Sequence, residues 1–123
     1  MSYQITLTIN PSYIHAIIVG ENSRENVMNY MREIREKCES SGIFRILIEE
    51  HLEGPRLGTI DVFQIVREGS EKNRGLIREI AYVDMNASGD LMKFAETVAR
   101  NRGLRMKAFN TIQDAKNWLQ GSE

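Results

Sequence analysis

The sequence predicts a single α/β layer structure with elements in the order ββαβαβαβα. Three observations carry that prediction. Short apolar stretches, some with a period of two, alternate with longer stretches of helical period. Turn and cap residues separate them, notably Asn10-Pro11-Ser12, Gly42, Gly103 and Thr111. At 123 residues the chain fits one domain spanning positions 1–123 and leaves no room for a second core. Single helices between strands imply parallel neighbours, right-handed crossovers and helices on both faces of the sheet.

Tyr3, Ile5, Leu7 and Ile9 alternate with Gln4, Thr6 and Thr8, the pattern of an edge strand with one wet face. Asn10-Pro11-Ser12 turns the chain, because proline fixes φ and cannot donate to a ladder. Tyr13–Val19 follows as a more continuously apolar strand ended by Gly20, so the two form an antiparallel hairpin. Asn22 with Glu25 resembles a capping box, and Val27, Met31, Ile34 and Cys38 give the core stripe of a long helix that stops at Gly42. Its remaining surface carries Glu25, Glu33, Glu36 and Glu39 against Arg24, Arg32, Arg35 and Lys37, a solvated face of mixed sign.

Ile43–Ile48 reads as a short strand interrupted by Arg45. Ile60, Phe63 and Val66 place a second helix that closes near Gly69, and Ile80–Val83 is another buried strand. Leu91, Phe94, Ala95 and Val98 define a third helix stopped at Gly103. Leu104, Met106 and Ala108 form the last strand. Thr111 with Asp114 caps a last helix holding Ala115, Trp118 and Leu119.

Composition narrows the function classes. Hydrophobic residues make up 41% and charged residues 27%, with a net charge of −1, so the totals favour neither a nucleic acid nor an anionic membrane. The longest apolar run, Ala16–Val19, is far too short to span a bilayer, and MSYQITLT is not a signal peptide; a cytoplasmic protein is expected. Cys38, the single cysteine, forms no internal disulfide and no cysteine metal cluster, and its helical spacing from Ile34 makes it a core residue.

Several short stretches invite a chemical reading. EGPRLGTID (Glu53–Asp61) sits where a strand hands over to a helix, a place that attracts anions, but it has no phosphate-loop motif and reads as a turn with Thr59 as helix cap. DMNASGD (Asp84–Asp90) begins like a calcium loop but has Ala95 where a bidentate glutamate is needed, so no metal is expected. His51 lies among Glu49, Glu50 and Glu53 after the third strand, read as a solvated loop; Glu49, His51 and Asp84 mark a candidate ligand edge. His15, between apolar residues, takes a half-buried sheet position. Arg100, Arg102, Arg105 and Lys107 form a local basic cluster without an aromatic platform, so no nucleic-acid partner is expected.

The element order, with RGLRMKAFNTIQDAKNWL at the C-terminus and Phe109, Ala115, Trp118 and Leu119 as its most specific residues, resembles STAS domains of the anti-sigma-factor-antagonist type, especially their SpoIIAA-like (STAS/SEC14) relatives. The resemblance implies a mixed five-stranded sheet flanked by about four helices. It also implies a non-catalytic module, without cofactor, that docks onto a protein such as an anti-sigma-factor-like regulator; a homodimer is left open. Leu57-Gly58 looks like the end of the family's phosphorylated loop, which puts Pro55 at the regulated serine and Arg56 at the following glycine. The usual phosphoserine switch is therefore missing. Arg56, Leu57, Gly58 and Thr59 become the expected partner-binding surface, although Leu57 also suits the first core position of the second helix. The SEC14 side of the family offers an alternative, a small-ligand or lipid sensor, which an apolar internal cavity would favour.

Overall fold

The computed structural model describes residues 2–54, 57–73, 75–85 and 89–121. The elements are β1 (Tyr3–Ile9), β2 (Ile14–Glu21), α1 (Arg24–Ser41), β3 (Arg45–Glu53), α2 (Thr59–Asn73), β4 (Glu79–Asp84), α3 (Gly89–Asn101), β5 (Met106–Ala108) and α4 (Ile112–Gly121). They build one five-stranded mixed sheet in the order β1-β2-β3-β4-β5. β1 and β2 pair antiparallel, and each later strand pairs parallel with its predecessor.

This strand order explains the layers. When parallel strands are added one after another in one direction, crossovers of a single hand put their helices on the same face. α1, α2 and α3 accordingly cover one face, over a core that includes Ile14, Ile18, Tyr30, Ile34, Ile46 and Ile80. α4 follows the last strand, is free of that constraint, and packs Ala115 and Leu119 on Leu47, Ala81 and Val83 of the opposite face. Among the described residues α4 packs mainly on β3 and β4, and toward the hairpin edge Gln4, Thr6 and Thr8 are exposed and Val19 is 48% exposed.

Local chemistry moves several boundaries from those read in the sequence. Ser23, not Asn22, caps α1: its Oγ accepts from the Asn26 N–H at 3.0 Å, while the Asn26 side chain donates to the Glu21 carbonyl at 2.8 Å. Gly42 ends α1 in the left-handed conformation, its N–H donating to the Cys38 carbonyl. β2 does not stop at Gly20. That residue has φ +151°, and a Cβ there would lie 2.7 Å from the Tyr3 Cα, so glycine permits the close hairpin contact and the strand continues to Glu21. β3 runs to Glu53 because it finds a full ladder along β2, from Ile14↔Ile46 to Glu21↔Glu53. α2 passes Gly69 and ends at Asn73, with Gly75 at φ +86° in the following turn. Its core face holds Val62, Ile65 and Val66, while Ile60 is 73% exposed.

Arg45 ties the two sides together. It pairs with Glu79 at 2.8 Å, its register partner on β4, and its guanidinium also donates to the Leu119 carbonyl near the end of α4. Thr111 caps α4 by accepting from the Asp114 N–H at 3.1 Å. Trp118 is half-buried rather than a core anchor. It lies against Phe109 at 5.7 Å with Arg105 over its ring, and the fully buried contacts of α4 are Ala115 and Leu119.

Candidate functional site

The alternation of β3 sends Ile46, Ile48, Glu50 and Leu52 toward the three-helix layer and Leu47, Glu49 and His51 toward the other face. The parallel register then sets Asp84 of β4 directly beside Glu50, with Tyr82 beside Ile48. Both acids are buried; Glu50 is 3% exposed. Tyr30, on the core stripe of α1 between Val27 and Ile34, donates its hydroxyl to Glu50 Oε2. The Tyr82 hydroxyl lies 3.1 Å from Glu50 Oε1 and 3.2 Å from Asp84 Oδ2. Two carboxyls and two phenols from three elements thus form one buried cluster.

Burial is the largest force on the Glu50 carboxyl, and the neighbouring Asp84 charge and hydrogen bond push the same way. The tyrosine hydroxyls oppose this only in part, and Glu50 is raised to about 8, so it holds its proton at neutral pH. Burial and the adjacent acids likewise push both tyrosine hydroxyls well above 10. Glu50 therefore stays protonated at neutral pH and the phenols stay neutral donors.

Beside this cluster lies a cavity of about 210 Å³ between the sheet and the helices. Its walls are mainly apolar, with Ile48 and Ile80 below and Val62, Ile65 and Val66 of α2 above. Arg32 of α1 and Lys72 of α2, both exposed, mark its rim. Asn73 lines it as well. That residue is 1% exposed, and among the described residues neither its Nδ2 nor its Oδ1 has a hydrogen-bond partner; the Ser70 hydroxyl one turn earlier is likewise unpartnered there.

The opposite face carries a separate constellation. Glu49 lies 2.9 Å from the His15 Nε2 and 2.5 Å from the His51 Nε2, bridging β2 and β3. Burial pushes its carboxyl up, but the hydrogen bonds from His51 and His15 outweigh it and hold the carboxylate below its ordinary value. Among the described residues, no group of three or more His, Cys, Asp or Glu is placed to hold a metal ion.

The residues singled out in the sequence are thus divided. Glu49 and His51 lie on a strand, not in a loop, and face away from Asp84, so the three form no single ligand edge. The calcium-like stretch falls partly outside the described residues, but its Asp84 belongs to β4 and the acid pair. Pro55 and Arg56 also lie outside them. Leu57 turns inward onto the core and the cavity wall, whereas Gly58 and Thr59 are exposed. The Val62 N–H donates to the Gly58 carbonyl, so Thr59 is the first helical residue and Gly58 takes the cap position. Cys38 is buried, and burial followed by the Glu39 charge pushes its thiol up to about 11. The basic cluster does meet aromatic rings: Arg102 lies over Phe63, Arg105 over Trp118 and Lys107 over Phe109. Arg105 also pairs with Glu79 at 3.3 Å, and the Phe109 and Trp118 rings under Lys107 and Arg105 lie against each other. Sequence reasoning names Glu50 only as a neighbour of His51 and does not single out Tyr30, Tyr82 or Asn73. The available signal was an acid in phase with Ile46, Ile48 and Leu52, where period two demands an apolar side chain.

The sequence matches no protein-family model and no curated protein. Among solved structures, it is similar to a protein of the DUF3478 family from Shewanella loihica PV-4, described as having a SpoIIAA-like fold. The two share 20% identity with a TM-score of 0.58, over 95% of this chain and 93% of that one. No helix among the described residues is long and apolar enough to cross a membrane. With its antiparallel first hairpin, parallel remainder and four helices, the chain has the SpoIIAA-like fold.

Proposed function

We propose that this chain is a non-catalytic, STAS-like regulatory module that responds to a small ligand held between its sheet and its helix layer. The observation that carries this reading is the apolar cavity of about 210 Å³ with the unpartnered amide of Asn73 in its wall. Apolar walls with a few convergent polar groups are the usual make-up of a small-molecule site. The acids are held by Tyr30 and Tyr82, which supports a role in shaping the site rather than in chemistry. Pro55, in place of the regulated serine of the phosphorylated relatives, fits an input other than phosphorylation.

A second reading, docking onto a protein partner in the cytoplasm such as an anti-sigma-factor-like regulator, is supported by the outer side of α2. There Ile60 is 73% exposed beside Phe63, and with Phe94 of α3 they line a shallow groove. Thr59, one of the expected docking residues, lines the same groove, so this reading extends the expected surface from Thr59 along α2. The two readings join in α2, whose inner side walls the cavity.

Thermal unfolding in the presence of a library of small metabolites tests the ligand reading, since a ligand bound only to the folded state at about 100 times its Kd stabilises by about 2.7 kcal/mol. Val66→Phe, which fills the cavity, is the control. Compounds that raise the melting temperature of the natural chain but not of Val66→Phe are expected. A library without any such compound overturns the reading.

A further inference from the structure

Asn73 ends α2, and its carbonyl accepts from the N–H groups of Leu76 and Ile77, both at 2.9 Å. Those bonds turn the chain toward β4, which puts Asn73 near the start of β4, and it lines the cavity with Ile80, Leu104 and Met106. Glu50 and Asp84 occupy the other end. From Ile80 to Asp84 the strand covers about 13 Å at roughly 3.3 Å per residue. The cavity is therefore elongated, with a neutral amide at one end and an acid pair at the other.

We infer that this cavity binds an uncharged, elongated molecule with an apolar body and a terminal primary carboxamide, or the equivalent edge of a urea, paired with Asn73. The assignment rests on the ligand reading above and adds the chemistry of the ligand. A buried asparagine offers an acceptor and one donor side by side on one edge, with its second N–H pointing away from that edge. A primary amide presents the matching donor and acceptor and satisfies both Asn73 atoms through a pair of hydrogen bonds. A carboxylate presents only acceptors, so Oδ1 stays unpaired and a charge is buried without a counter-ion. An ammonium presents only donors and leaves Nδ2 unpaired. The Ser70 hydroxyl on the same turn adds no charge.

The far end argues the same way. The acid pair is held by Tyr30 and Tyr82, while Arg32 and Lys72 stand at the rim and Lys72 is engaged by Glu68 at 3.5 Å. The buried acids offer an anion no counter-ion at depth, and their tyrosine partners spare them the need for a ligand cation. Size sets the scale. By proportion to a dry cavity of about 150 Å³ that holds benzene, this one takes roughly eight non-hydrogen atoms.

Hexanamide, hexanoate and hexylamine share one chain length and differ in this head group. Titration of each into the isotopically labelled full chain, followed by calorimetry and by the Asn73 side-chain NH₂ resonances, decides among them. Hexanamide is expected to bind roughly tenfold tighter or better than the other two, to shift the Asn73 NH₂ signals, and to lose that advantage in Asn73→Leu. If Asn73→Leu does not fold, the NH₂ shift in the natural chain decides alone. Tighter binding of hexanoate or hexylamine, or NH₂ signals unmoved at saturation, overturns the carboxamide assignment. If no probe binds while Val66→Phe still blocks some library compound, the carboxamide assignment falls and the cavity reading stands. If nothing binds in either experiment, both fall.

Discussion

Replacing Glu50 by Gln tests the buried acid pair directly. Glutamine keeps the size, still accepts the Tyr30 hydroxyl and still donates to Asp84, but it cannot ionise. In the natural chain the Glu50 carboxyl rises from 4.5 to about 8 on folding. The folded state therefore keeps a proton that the unfolded state releases. The resulting stabilisation is fully present below about pH 4.5 and is lost as pH rises through about 8. At ~1.4 kcal/mol per pKa unit, the full shift sets a ceiling of about 5 kcal/mol. Between about pH 5 and pH 8 the linkage works out to roughly 3–4 kcal/mol of lost stability. Asp84 and Tyr82 of β4 and Tyr30 of α1 face this group directly, with Arg32 and Arg35 of α1 and Glu68 and Lys72 of α2 also lining the cavity. The tyrosines stay protonated across this window. Urea unfolding at stepped pH, read by linear extrapolation, measures the effect. The natural chain should lose most of that stability toward pH 8, whereas Glu50→Gln should be nearly flat and the more stable of the two at pH 8. Parallel profiles for the two proteins would refute the reasoning, because the titrating group would then lie elsewhere.

Tyr30→Phe should cost about 1–3 kcal/mol by unpairing a buried carboxyl oxygen, and it should move the pH transition upward, because a hydrogen bond that lowers the Glu50 pKa is lost; the same urea series reads both. Gly20→Ala should cost about 2 kcal/mol or more, since it adds a Cβ 2.7 Å from the Tyr3 Cα at a strained φ; thermal unfolding checks it, and an unchanged midpoint would mean that the hairpin can splay freely. Leu119→Ala should cost about 2–5 kcal/mol and Trp118→Ala clearly less, because Leu119 is fully enclosed and Trp118 is not; the reverse order in denaturant midpoints would contradict the packing of α4. Incubation with a kinase that phosphorylates anti-sigma-factor antagonists should leave the 53–61 loop unmodified by mass spectrometry; stoichiometric phosphate on Thr59, at the start of α2, would show that the switch survives at another hydroxyl.

Much of the architecture was legible in the chain, because periodicity and caps are local. Alternation in Tyr3–Ile9, the stripe through Val27, Ile34 and Cys38, the left-handed glycine at Gly42 and the Thr111 cap each depend on near neighbours, and each led to the right element. The element order also fixed the antiparallel hairpin and the parallel remainder. Strand extents were not legible, since a strand continues for as long as its neighbour offers a ladder; β3 carries four charged or titratable residues past Ile48 on the strength of β2 alone. The candidate site was hidden for the same reason. Glu50 and Asp84 are 34 residues apart and meet only through the β3–β4 register, Tyr30 reaches them from α1, and Asn73 enters from the far end of α2. A carboxyl becomes an unusual proton holder only when the fold removes its water and places a second carboxyl beside it, and no local pattern encodes that.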